Sequence, residues 1–139
     1  MKKVFQSLLF VFTFTFISCN EKLIEEGEPY ADFTVTGTVK SLSGNPLPNI
    51  VVTTTSYLME GYAAEASTTV TIEQGHYELK PYVPYSNYIV ISVEDPTGQY
   101  LSDSYRIDRS VINKELEGKN GYYLGMGSLS SIDFALKMK

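Results

Sequence analysis

Three scarcities narrow what this 139-residue chain does: one cysteine, one histidine and no tryptophan. A single thiol forms no internal disulfide, so stability has to come from packing. A single imidazole, His76, falls short of the two or three nitrogen or thiolate ligands of a hydrolytic zinc site. His76 is followed by Tyr77, Glu78 and Leu79, so the His-x-x-Glu pair of metallocarboxypeptidase chemistry is absent too. Its strand position groups it with Glu78 and Lys80 as an ordinary surface histidine. No Ser-His-Asp arrangement is legible beyond the presence of the residue types. Positive charge is also in short supply: a formal net charge of −5 argues against nucleic acid as a partner. Asp95, Asp103 and Asp108 lack EF-hand spacing and lie among Arg106 and Arg109, so surface ion pairs are expected there in place of calcium. The expectation is no enzyme, no metal and no cofactor.

Long apolar runs are missing except at the start. Lys2 and Lys3 precede an apolar stretch from Val4 to Ile17, which is shorter than the roughly 20 residues that span a bilayer and suits a signal-peptide core. It ends in Phe16-Ile17-Ser18-Cys19, which resembles the lipobox of a bacterial lipoprotein, with Cys19 as the acylated residue. Phe16 stands where that pattern prefers leucine. The expected division is a signal over 1–18, an acylated cysteine and flexible tether over 19–31, and one domain over 32–139. Losing Lys2 and Lys3, and no acid, takes the charge from −5 to −7. The partner implied is a membrane, reached through the N-terminal lipid, since two or three acyl chains hold where one binds marginally. Glu21, Glu25 and Glu26 resemble, loosely, the acidic export tag that sends lipoproteins of some Gram-negative gut anaerobes to the outer face of the outer membrane. A plain solvated linker is the other reading. The expected location is the cell envelope, on the periplasmic or surface face of the outer membrane.

The domain reads as strands. Phe33, Val35 and Val39 alternate with Thr34, Thr36, Thr38 and Lys40, the two-residue period of a strand with one buried face, and Gly37 interrupts that face. Ser43-Gly44-Asn45-Pro46 supplies a turn. Ile50 and Val52 then oppose Val51 and Thr53, so residues 32–55 read as a hairpin. Ser56 to Ala66 reads as a loop or ragged strand end. A second hairpin is expected from Val70 and Ile72 facing one way, a Gln74-Gly75 turn, and Tyr77 with Leu79. Pro81 and Pro84 forbid a central strand between them. Ile89, Ile91 and Val93 form the most regular strand, expected to be central. Leu101 to Ile107 is another, with Tyr105 in phase with buried positions. Ser110 to Glu117 suggests a short helix capped by Ser110 and stopped by Gly118. Ile132, Phe134, Leu136 and Met138 close the chain. About seven short strands and no long helix predict an all-β, antiparallel β-sandwich.

Eleven tyrosines stand where tryptophan is absent. Tyrosine presents an aromatic face and a polar tip, so a ligand platform is a reasonable expectation. Tyr82, Tyr85 and Tyr88 fall on or beside one loop and Tyr122 and Tyr123 on another, and the two groups are expected to meet at one end of the sandwich.

Gly37-Thr38-Val39 and then Gly44-Asn45-Pro46-Leu47-Pro48-Asn49-Ile50-Val51-Val52 resemble the first two strands of carboxypeptidase regulatory-like domains, which are transthyretin-like seven-stranded sandwiches. The transthyretin-like hydrolases that open a urate-derived ring use several histidines and a C-terminal Tyr-Arg-Gly-Ser, whereas this chain ends Leu-Lys-Met-Lys. A wider resemblance combines the signal with its cysteine, Pro29-Tyr30-Ala31-Asp32-Phe33, the hairpin and a Gly-rich Tyr-Tyr-x-Gly segment before the last strand. Together these resemble the small lipoproteins encoded beside a radical SAM enzyme in gut anaerobes. Glu94-Asp95-Pro96-Thr97-Gly98 departs from that family's more acidic, glycine-bearing loop. The resemblance implies no activity. It leaves three roles: a non-catalytic binding or interaction domain of the envelope, a client or partner of the radical SAM enzyme, or a glycan-binding module.

Overall fold

The computed structural model describes residues 28–139. The signal sequence, Cys19 and the acidic residues that follow it lie outside the described residues. Eight strands and one short helix make two facing sheets, and the all-β sandwich expected from the alternation is what the chain forms. Strand β1 (Tyr30–Ser41) is central to the first sheet, with β4 (His76–Leu79) antiparallel on one side. Strands β7 (Tyr123–Leu129) and β8 (Phe134–Leu136) both pair with β1 in parallel. The second sheet is antiparallel, in the order β3 (Ala63–Val70), β2 (Val51–Tyr57), β5 (Tyr88–Glu94), β6 (Asp103–Asp108). Among the described residues no helix is long and apolar enough to cross a membrane.

The core is the inner face of each strand. Phe33, Val35 and Val39 of β1 and Tyr77 and Leu79 of β4 meet Val52, Ile89, Ile91, Val93 and Ile107 of the other sheet. Removal of these apolar faces from water drives the two sheets together, at roughly 25 cal/mol per Å². Phe134, Leu136 and Ile112 complete it, the last from helix α1 (Arg109–Glu115).

Neither expected hairpin forms, although the buried residues of β1, β2 and β4 are those the alternation indicated. After Ser41 the chain turns tightly, with Leu47 N–H donating to the Val39 carbonyl at 2.9 Å, and then crosses to the other sheet. The same happens between β3 and β4. Alternation records which face of a strand is buried, and that face is the same whether the next strand is its neighbour or lies across the core. The second crossing inverts the expected phase: Val70 and Ile72 are exposed and Thr71 is buried. The Thr71 hydroxyl donates to the Leu47 carbonyl at 2.6 Å and accepts from Ile50 N–H at 3.0 Å, so burial leaves it satisfied. Tyr105 is likewise exposed, on β6 at the edge of its sheet. The helix N-cap is Asp108, two residues earlier than the expected Ser110. The strand beyond the expected seven is β7, in the glycine-rich segment around Tyr123. β3 starts earlier than expected, at Ala63 inside the stretch read as a loop, because β2 and β3 form a hairpin around a single 3-10 turn, Met59–Gly61.

Gly37 has a specific task. Strands β7 and β8 run along the same side of β1, but residues 36–38 of β1 face 130–133, one residue more. The extra residue pushes the Ile132 carbonyl over Gly37, where a Cβ would lie 1.9 Å from that oxygen. The Tyr77 hydroxyl donates to the same carbonyl at 2.5 Å. The Asp133 carboxylate accepts from the Thr38 N–H and hydroxyl, both at 2.9 Å, replacing the ladder bond lost at the bulge. Asp95 organises the β5–β6 turn. Burial works against its charge, but the Thr97 hydroxyl and the N–H groups of Thr97, Gln99 and Tyr100 more than offset this and hold its pKa below the usual value.

Candidate functional site

Four of the five tyrosines singled out from sequence fall at one end of the sandwich, the end where the chain enters β1, and Tyr88 is the exception. Tyr82 lines a cleft of about 450 Å³ with Tyr30, Pro81, Pro84 and Met126, and Asp32, Glu65 and Lys80 provide its charge. That volume lies within the range of small-ligand sites. Tyr123 belongs to the same cluster: its ring packs on Tyr30 with centroids 5.0 Å apart, and its hydroxyl donates to Asp32 Oδ2 at 3.0 Å. Tyr122 is exposed beside it and accepts at its carbonyl from Tyr30 N–H. Tyr85 lines a second depression with Met59, Arg109 and Leu124, and its ring is 61% exposed. The loop bearing Tyr85 thus approaches the start of β7 at Leu124.

Tyr88 lies apart. It stacks on its cross-strand partner Tyr57 on the outer face of the second sheet, with centroids 4.8 Å apart and 13° between the planes. The Arg106 guanidinium sits 3.8 Å from the Tyr88 ring centroid, and its Nε donates to Asp108 Oδ1 at 2.7 Å. The ion pair expected around Arg106 is therefore present. Arg109 differs: it donates to the Val83 carbonyl at 2.5 Å and pairs with no acid among the described residues. Burial lowers its pKa, yet guanidinium stays charged.

The loop carrying Tyr82 and Tyr85 is pinned from three elements. Ser56 Oγ of β2 donates to the Tyr82 carbonyl, Ser67 Oγ of β3 to the Lys80 carbonyl, and Arg109 of α1 to Val83. Ser86 closes the turn through its own hydroxyl, at 2.6 Å from the Val83 carbonyl. The cleft is consequently formed before any ligand arrives. Burial, then Glu28, Tyr85 and Glu65, push the Tyr82 phenol above its ordinary pKa. Burial, then the bond to Asp32 and the charge of that carboxylate, and Tyr30, do the same to Tyr123. Both hydroxyls remain protonated donors at neutral pH.

Tyr30, Glu65 and Met126 were not indicated by sequence reasoning. Tyr30 was assigned to the tether, and Glu65 and Met126 enter through strand pairings that no local pattern encodes. A wider depression, about 780 Å³, lies along Thr36, Thr38, Val70, His76 and Asp133. Its polar groups include Asp133, which is engaged with Thr38. His76 is exposed on β4, as expected. No three His, Cys, Asp or Glu side chains among the described residues converge as metal ligands would.

By sequence the chain matches no protein-family model and no curated protein. By fold it is similar to chlorocatechol 1,2-dioxygenase from Pseudomonas putida, at 12% identity and a TM-score of 0.54, over 81% of this chain and 68% of that one. It is similar to 3-chlorocatechol 1,2-dioxygenase from Rhodococcus opacus 1CP, at 12% identity and a TM-score of 0.53, with the same coverage. A third likeness is to catechol 1,2-dioxygenase from Acinetobacter sp. ADP1, at 13% identity and a TM-score of 0.54, over 81% of this chain and 59% of that one. At such identity the likeness is one of fold alone.

Proposed function

We propose that this chain is a lipid-anchored domain of the cell envelope, held to the outer membrane through Cys19, that binds a partner without catalysing a reaction. The observation that carries the binding role is the Tyr30–Tyr82 cleft, with its apolar walls, charged rim and pinned loop. Tyr85 supports it. Its backbone is left-handed, with φ 59°, a conformation that costs a non-glycine residue roughly 1–2 kcal/mol, and it holds an exposed ring at the surface. Envelope glycans and peptides both suit an aromatic cleft of this size. Glycan and peptide arrays probed with the protein and with Tyr82→Ala test the role. Ligands retained by the protein and lost by the variant support it, and equal retention argues against the cleft.

A second reading, that the protein is a client of a radical SAM maturation enzyme, draws on the accessible rings of Tyr85 and Tyr122, 61% and 53% exposed. Intact mass of the protein from its native membrane decides it. A mass explained by acylation and signal removal alone speaks against modification.

A further inference from the structure

We propose that the Tyr30–Tyr82 cleft receives an organic cation, an ammonium or guanidinium group carried on a flexible stem or on a sugar ring. The inference rests on reading the cleft as a binding surface and adds the chemistry of what enters it.

The protein already contains the arrangement once, completed from its own chain. On the outer face of the second sheet a tyrosine ring, a guanidinium 3.8 Å away and a carboxylate 2.7 Å from that guanidinium make a closed set. In the cleft two of those three components recur. The rings are Tyr30 and Tyr82, whose faces attract a cation within about 6 Å. The carboxylates are Asp32 and Glu65, with Glu28 close enough to act on Tyr82. Asp32 accepts the Tyr123 hydroxyl through Oδ2, and Oδ1 has no protein donor among the described residues. Lys80 is the one basic side chain of the lining, and it pairs with neither Asp32 nor Glu65. Two acids of the lining, with Glu28 near Tyr82, against one base leave the cleft negative. Pro81, Pro84 and Met126 offer apolar walls for the methylene stem behind a charged head. A net charge of −5 favours approach of a cation.

The test uses the full acylated protein in neutral detergent micelles, titrated calorimetrically with a glycine peptide bearing one central lysine and with its Nε-acetylated counterpart. Glucosamine against N-acetylglucosamine forms a second arm. The expected result is that acetylation weakens binding about tenfold, the factor that roughly 1.4 kcal/mol of cation–π and ionic attraction gives. Raising the salt from about 50 to about 500 mM weakens it further, because the rim charges are exposed. Glu65→Gln weakens it several-fold, Tyr82→Ala removes it, and Arg106→Met leaves it unchanged. Tighter binding of the lysine peptide identifies a peptide side chain as the source, and tighter binding of glucosamine identifies an amino sugar. If charged and acetylated probes bind equally and Tyr82→Ala still removes both, the cation inference falls while the cleft reading stands. If no probe binds, or Tyr82→Ala changes nothing, both fall.

Discussion

Two tyrosine clusters in one small domain differ in what completes them. On the outer face of the second sheet, Tyr57 and Tyr88 are cross-strand neighbours capped by Arg106, which is itself held by Asp108. Every component comes from regular strands, and the ladder registers fix their spacing. At the end where the chain enters β1, Tyr30, Tyr82 and Tyr123 gather from a strand start, a proline-bounded loop and the first residue of β7, with acids and, among the described residues, no seated guanidinium. The first cluster resembles a staple on a pleated surface and the second a socket. Similar side chains therefore make a closed set in one place and an open one in the other, and the difference lies in whether a guanidinium of the chain is seated on the rings.

The largest expected effect separates the two through their supports. Arg109→Ala removes charge-assisted bonds to the Val83 and Ser86 carbonyls and should destabilise the fold by about 2 kcal/mol in urea unfolding. It should also abolish binding in the cleft while the Tyr57–Tyr88 stack persists in the aromatic circular dichroism. A double-mutant cycle on Tyr57→Ala and Tyr88→Ala comes next, with an expected coupling of about 1 kcal/mol. A coupling near zero would mean that the stack is not a staple, and the contrast would dissolve. Arg106→Met keeps the methylene cover over Tyr88 and loses the charge. Its expected cost is about 0.5–1 kcal/mol, since the site is exposed. The smallest effect is in alkaline titration followed by tyrosinate absorbance. Tyr82 and Tyr123 should ionise above the ordinary range, together with Tyr77, raised by burial and then by Asp133. A raised folded pKa means that stability is full below about pH 10 and declines as the pH climbs through the folded value. Glu28→Gln should bring Tyr82 part of the way back, leaving Tyr77 where it was.

Much of the fold was legible in the alternation. Phe33, Val35 and Val39, then Ile89, Ile91 and Val93, are buried as their period indicates. Pairing was not legible, because β1 and β2 bury the same residues whether they form a hairpin or face each other across the core. The turn at Gly44-Asn45-Pro46 is a turn in either case. Thr71 and Val70 reversed roles because two backbone groups, Leu47 C=O and Ile50 N–H, wait at the crossing for a hydroxyl, a demand set by tertiary contact. Tyr82, Tyr85, Tyr122 and Tyr123 were found because tyrosines are dense around loops. Tyr88 was misplaced with them, since its neighbour Tyr57 is distant in sequence. Gly37 carried a clue in plain view: a glycine within an apolar strand face marks close approach of another backbone.

The parallel pairing of β7 and β8 with β1 has a kinetic consequence. Val35 pairs with Leu129, and Thr38 with Asp133 across 95 positions, so the first sheet joins the two ends of the domain. Contacts of such sequence separation close slowly, because loop entropy is lost before they form. A polypeptide emerging N-terminus first therefore has one side of β1 unpaired until β7 appears, and Val39–Ser41 on that side unpaired until β8 follows. Synthesis halted before Phe134 leaves β1 without its β8 partner at Val39–Ser41, so the docking of β8 is the step that completes the first sheet.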